Sequence, residues 1–75
     1  FVIELLSFSD KLGEQQAKME EYIENGLRLG WLIDPSRNTV HIYRPDRQPE
    51  ILDNPKSVSG EDVLPGFKLD LTKIW

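Results

Sequence analysis

Only one segment, Asp10 to Asn25, carries a helical repeat of apolar residues, and this limits the architectures open to the chain. Leu12, Met19 and Ile23 fall on one line of the helical wheel, with Tyr22 and Gln15 on its shoulder. Ser9 or Asp10 is placed to accept N–H bonds at the start, and Asn25-Gly26 supplies the stop. Gly13 weakens the first turn by about 1 kcal/mol. A single amphipathic helix must bury its stripe on a sheet, and the rest of the chain reads as strands and turns.

Phe1 to Ser7 is an apolar run with β-branched content and reads as a buried strand. Leu27 to Asp34 is a second strand, and Asp34-Pro35-Ser36-Arg37-Asn38 is turn chemistry. Thr39 to Arg44 alternates and pairs back as a hairpin, Pro45 to Pro49 turns again, and Glu50 to Asp53 is a short strand. The remainder is loop-rich, punctuated by Asn54-Pro55, Ser59-Gly60 and Leu64-Pro65-Gly66. A final short strand, Phe67 to Leu71, leads to an anchor at Ile74-Trp75. The order β-α-β-β-β-(β) is α/β, bordering on α+β, with a mixed sheet and one main helix.

Composition narrows the chemistry. Seventy-five residues make one small domain or a piece of one. The absence of cysteine excludes disulfides, iron–sulfur clusters and cysteine-based zinc sites. With His41 the sole histidine, any metal would be held through carboxylates, which means Mg²⁺, Mn²⁺ or Ca²⁺. Thirteen acids against nine Lys and Arg leave a net charge of −4, which disfavours a protein that grips nucleic acid by phosphate contacts alone. A metal-dependent nuclease is less constrained, because its cations neutralise the site. No transmembrane run or signal peptide is visible, so the chain reads as soluble and cytoplasmic. It opens directly as a strand at Phe1, and its only methionine, Met19, lies inside the helix; we expect a fragment whose missing residues lie upstream.

Glu4 is the most informative residue. It interrupts Val2-Ile3-Glu4-Leu5-Leu6, where an unpaired carboxylate would cost several kcal/mol. It therefore needs a cation, a hydrogen-bond network or a metal, unless it reaches solvent at a sheet edge or sits in a structural ion pair. Lys18 lies beside Lys11, Tyr22 and Gln15 on one flank of the helical stripe, while most of the helix's acids point elsewhere. Lys18 and Tyr22 are i,i+4 neighbours, so ammonium and phenol can approach one point. A helix following directly on the Glu4 strand packs across it, which puts Glu4 within reach of Lys18; the alternative is a lysine that merely snorkels beside Tyr22 or pairs with Glu14. His41 reads as a strand-face residue, Trp31 as core, Trp75 as a cap on the fold and Asp34 as a turn residue. Arg28, Arg37, Arg44 and Arg47 are scattered among acids and read as solvated surface rather than a phosphate track.

Phe1-Val2-Ile3-Glu4-Leu5-Leu6-Ser7, then Asp10, Lys18 and Tyr22, then Gly26 and Trp31-Leu32-Ile33-Asp34-Pro35 resemble the restriction-endonuclease family expanded in cyanobacteria, a branch of the PD-(D/E)XK nuclease superfamily. Val40, Ile42 and Tyr43, with Leu64-Pro65-Gly66-Phe67, fit the C-terminal half of that family. The resemblance implies a restriction-endonuclease-like fold and, in the intact parent, Mg²⁺- or Mn²⁺-dependent hydrolysis of DNA phosphodiesters. It gives Glu4 the role of metal-binding acid. The lysine of the (D/E)XK strand is replaced by Leu6 and matched instead by Lys18, accompanied by Tyr22. The family's Pro-Asp would fall immediately before Phe1, so its metal-binding Asp is absent, and Phe8 stands where Pro is common. One carboxylate is a poor Mg²⁺ site, so this chain alone is expected to be inactive or nearly so. Its open sheet edge and apolar strand faces favour a homodimer or larger assembly, and a non-catalytic self-associating module is the alternative reading.

Overall fold

The computed structural model describes all residues from Phe1 to Trp75. Strand β1 (Val2–Leu5) leads through helix α1 (Leu12–Glu24) to β2 (Gly30–Asp34), followed by β3 (Thr39–Tyr43) and β4 (Glu50–Asp53). These four strands form one sheet in the order β1-β2-β3-β4. β1 and β2 are parallel, and the other two pairings are antiparallel. Two further strands, β5 (Ser57–Ser59) and β6 (Lys68–Asp70), pair antiparallel as a separate ribbon. The expected mixed sheet with one helix is present, and its separate ribbon and single parallel pair make the class α+β.

Alternation along the strands sorts the sheet into two faces. Leu32 and Tyr43 meet Met19 and Leu6 on the helix side, with Val2, Leu12, Tyr22 and Ile23 packed around them. Leu29, Trp31, Ile33, Val40 and Ile42 form the opposite face with Val58 and Leu71 from the C-terminal third, and Leu52, Val63, Leu69 and Trp75 pack against them. Every residue of β2 is buried, as a strand covered on both faces must be. Met19 is the one fully buried residue of α1. Its methyl group lies over Gly30, where an added Cβ would come within 2.5 Å of Cε. Glycine is what lets the helix approach the sheet this closely.

The helix ends as expected. Gly26 adopts φ +102°, and the Gly26 and Leu27 N–H groups donate to the carbonyls of Ile23 and Tyr22 at 3.1 and 2.9 Å, a Schellman closure. Its start differs from expectation. Lys11 occupies the N-cap position with no side-chain cap, and the Asp10 carboxylate instead accepts the Ser7 N–H at 2.8 Å. That bond closes the β1–α1 turn, and it holds the Asp10 carboxyl below the ordinary carboxylate range. Strand β5 did not stand out in the sequence, because one buried Val58 between two serines is too short for a periodic signal. Trp75 anchors the terminus by donating Nε1–H to the Pro55 carbonyl at 3.0 Å, whereas Ile74 is exposed.

Candidate functional site

β1 is an edge strand, and alternation turns Val2, Glu4 and Leu6 toward the helix side while Ile3 and Leu5 turn away. The helix packs chiefly over β2 and β3. Glu4 is therefore left at the flank of α1 rather than beneath it, its side chain about one-quarter exposed. Lys18 and Tyr22, one turn apart on that flank, both reach it. The Lys18 Nζ lies 3.0 Å from Glu4 Oε1, and the Tyr22 hydroxyl donates to the same oxygen at 3.4 Å. The ammonium also stands 5.7 Å from the centre of the Tyr22 ring. Glu4, Lys18 and Tyr22, separated by up to 18 residues in sequence, thus form one cluster.

The electrostatics fix what each group can do. The hydrogen bond to Glu4, helped by one to Tyr22, raises the Lys18 ammonium above its ordinary value. Lys18 is therefore a cation at neutral pH. It can orient a water or stabilise developing negative charge, but it holds its proton too tightly to act as a general base. Both donors use Oε1 of Glu4, so Oε2 keeps its lone pairs without a protein donor. That geometry suits a carboxylate with one oxygen held and the other presented.

No group of three Asp, Glu or His side chains is placed to hold a metal ion. The nearer candidates are spent. Asp10 closes its turn on Ser7, and Asp34 accepts Ser36 N–H at 3.1 Å, Ser36 Oγ–H at 2.7 Å and Arg37 Nη1 at 2.8 Å. Burial alone would raise the Asp34 carboxyl, but the Ser36 and Arg37 bonds outweigh it and hold it below the usual range. Mg²⁺ requires clustered oxygen ligands, and one carboxylate already neutralised by an ammonium does not satisfy it.

The remaining singled-out residues have structural surroundings. His41 is buried on β3 with Nδ1 unpartnered, and burial pushes its imidazole below the ordinary value. Trp31 is core, set edge-on to Phe1 at 4.7 Å and stacked with Phe67 at 6.1 Å. Arg37 is committed to Asp34, and Arg44 bridges Glu50 at 3.0 Å and Glu61 at 2.6 Å. Sequence reasoning had placed Arg44 on the solvated surface. It is instead largely buried, and its three bonds to Glu61 pin a non-glycine residue at φ +55°. No sequence signal marks that pairing across 17 residues.

A mixed four-stranded sheet with one packed helix and a separate two-stranded ribbon is consistent with a restriction-endonuclease-like fold. The chain belongs to the Uma2 family, described as "putative restriction endonuclease", whose family model matches residues 1–72. Among solved structures it is similar to the crystal structure of a "putative nuclease belonging to DUF820" from Anabaena variabilis ATCC 29413, at 30% identity and a TM-score of 0.80. That likeness covers 92% of this chain and 39% of the other, so the chain spans well under half the length of that relative. The comparison with curated proteins gives no match. No helix is long and apolar enough to cross a membrane.

Proposed function

We propose that this chain carries one half of a phosphodiester-hydrolysing site of the PD-(D/E)XK type, with DNA as the substrate of the complete site. The observation that carries the reading is the convergence of Lys18 Nζ and Tyr22 Oη on one oxygen of Glu4. A phosphodiester attack needs an oriented water and a positive group beside the phosphate as charge builds on its oxygens. Lys18, charged at neutral pH and half exposed, supplies the positive group. Glu4 Oε2 supplies an acceptor that can hold a water or a cation ligand position, and Tyr22 fixes the carboxylate plane. Since the chain does not provide the further oxygen ligands that Mg²⁺ or Mn²⁺ requires, it is inactive as a single copy.

The test is nicking of supercoiled plasmid DNA with Mg²⁺ or Mn²⁺ by the chain and by Glu4→Gln and Lys18→Ala. No nicking by a single copy is expected, and any nicking that does occur must vanish in both variants. Cleavage that survives Glu4→Gln would refute the assignment. A second reading, a non-catalytic module that associates with itself, is favoured by one observation: the edge strand carries exposed Ile3 and Leu5.

A further inference from the structure

The C-terminal end of α1 joins an Asn-Gly step to an electrostatically poor helix terminus. Asn25 and Gly26 are both exposed, and Asn25 is the one asparagine that precedes glycine. Asn38 precedes the β-branched Thr39, and Asn54 precedes Pro55, which has no N–H. A glycine nitrogen has no side chain beside it to hinder its approach to an asparagine carboxamide. The last turn of α1 holds no basic residue; Glu21 and Glu24 stand there instead, at the negative pole of the helix, where acids favour opening.

We propose that Asn25 is a self-modification site: its side-chain amide converts to a carboxylate by attack of the Gly26 backbone nitrogen, and the Schellman closure of α1 gates the reaction. The Gly26 nitrogen gives up its proton to solvent and bonds to Asn25 Cγ. The Cγ–Nδ2 bond breaks, and the side-chain nitrogen leaves as ammonia with a proton taken back from water. The product is a five-membered succinimide. Water then adds to one of its two carbonyl carbons and opens the ring, to aspartate or to isoaspartate. Water is the only co-reactant, and no group changes oxidation state.

The closed helix end holds the reacting atoms out of position. Gly26 N–H donates to the Ile23 carbonyl at 3.1 Å and Asn25 Nδ2–H to that of Glu21 at 3.0 Å, so nucleophile and leaving group are both tied back along the helix. Asn25 stands at φ −92° and ψ 15°. A ψ near zero brings the Gly26 nitrogen close to eclipsing the Asn25 nitrogen, whereas ring closure needs it eclipsed with Cβ, about a third of a turn away. The Leu27 N–H, on the Tyr22 carbonyl at 2.9 Å, completes the lock. Reaction runs from the open helix end, at the rate of the unfolded segment reduced by the fraction open.

The product does not restore the same closure. A carboxylate at position 25 adds a third negative charge beside Glu21 and Glu24 at the wrong pole of the helix. The isoaspartyl form also inserts a carbon into the main chain, which takes the Gly26 and Leu27 N–H groups out of register with their acceptors. Tyr22 belongs to this turn, and its hydroxyl meets Glu4, so the change loosens one member of the cluster irreversibly. The inference rests on the cap geometry and not on the half-site reading.

The test ages the chain at mildly alkaline pH, folded and in guanidinium chloride, and follows tryptic peptides by mass and by separation of the isoaspartyl isomer. Peptide Met19–Arg28, in which Asn25 is the sole asparagine, should gain the mass of amide-to-acid conversion ahead of the peptides holding Asn38 and Asn54. The folded chain should react at least about tenfold more slowly than the unfolded one. Leu27→Ala keeps Asn25-Gly26 but trims the side chain that packs at the closure, its Cδ2 3.1 Å from a Cβ placed on Gly30. With native circular dichroism retained, it should speed the folded-state reaction at least about threefold and leave the unfolded rate unchanged. Conversion first at Asn38 or Asn54 would overturn the site. Equal rates folded and unfolded would overturn the gate.

Discussion

Removing Met19 tests whether one side chain holds the helix on the sheet. Met19 is fully buried, the only such residue in α1, and it meets Leu6, Leu32 and Tyr43 with its methyl over Gly30. Met19→Ala deletes three heavy atoms from a packed site. The lost transfer energy is about 2 kcal/mol, and an unrelaxed cavity adds about 1–2 more. We expect about 3 kcal/mol, out of roughly 4–11 kcal/mol for a domain of this length. In thermal unfolding that is a fall of roughly 12–24 °C.

The assay is urea unfolding followed by far-ultraviolet circular dichroism and tryptophan fluorescence. A second substitution makes the reasoning specific. Gly30→Ala alone should destabilise by about 1–3 kcal/mol, because its Cβ would meet Met19 Cε at 2.5 Å and Leu27 Cδ2 at 3.1 Å. In the Met19→Ala background the same methyl enters the vacated space, so the pair should be more stable than the sum predicts by at least about 1 kcal/mol. A cost below about 1 kcal/mol for Met19→Ala, or strict additivity of the two, would refute this account of the packing.

Arg44→Lys should lose about 1–2 kcal/mol by urea unfolding, since a point charge cannot reproduce the paired guanidinium bonds to Glu61. Gly13→Ala should stabilise by about 0.5–1 kcal/mol, because its Cβ meets open space in a helix; Gly60→Ala should destabilise by about 2 kcal/mol or more, because its Cβ would sit 2.7 Å from the Leu64 backbone oxygen. His41 has a folded-state value below its unfolded one, so its contribution is intact above about pH 6.5 and is lost as pH falls through the unfolded and then the folded value. His41→Leu should flatten the pH dependence of unfolding free energy between roughly pH 7 and 5, and an unchanged slope would place that dependence elsewhere.

Much of this architecture is written in short-range patterns. The α1 stripe, the Asn25-Gly26 stop and the hairpin turn at Asp34–Asn38 are local, and local chemistry specifies them. The Glu4–Lys18 contact was also legible, because a carboxylate amid apolar residues demands a partner and a helix following directly on its strand offers one. What escaped is long-range. Arg44 and Glu61 find each other only through the fold, and β5 exists because β6 lies beside it. The helix cap was misread because Asp10 had two N–H donors within reach and the turn donor, Ser7, took it. A pattern shows which groups need partners, and geometry decides which partner wins.

The parallel pairing of β1 with β2 has a consequence for the order in which the molecule assembles. β2, β3 and β4 follow one another as a meander, whose closures span few residues. β1 reaches β2 only after the whole of α1 has been laid across the sheet, since Val2 pairs with Gly30. Closing a loop of that length costs more chain entropy than closing a hairpin. Glu4 therefore meets Lys18 only once this longer closure has been made. The cluster exists only in molecules whose crossover has closed, so a partly assembled chain, however well formed its hairpins, lacks it.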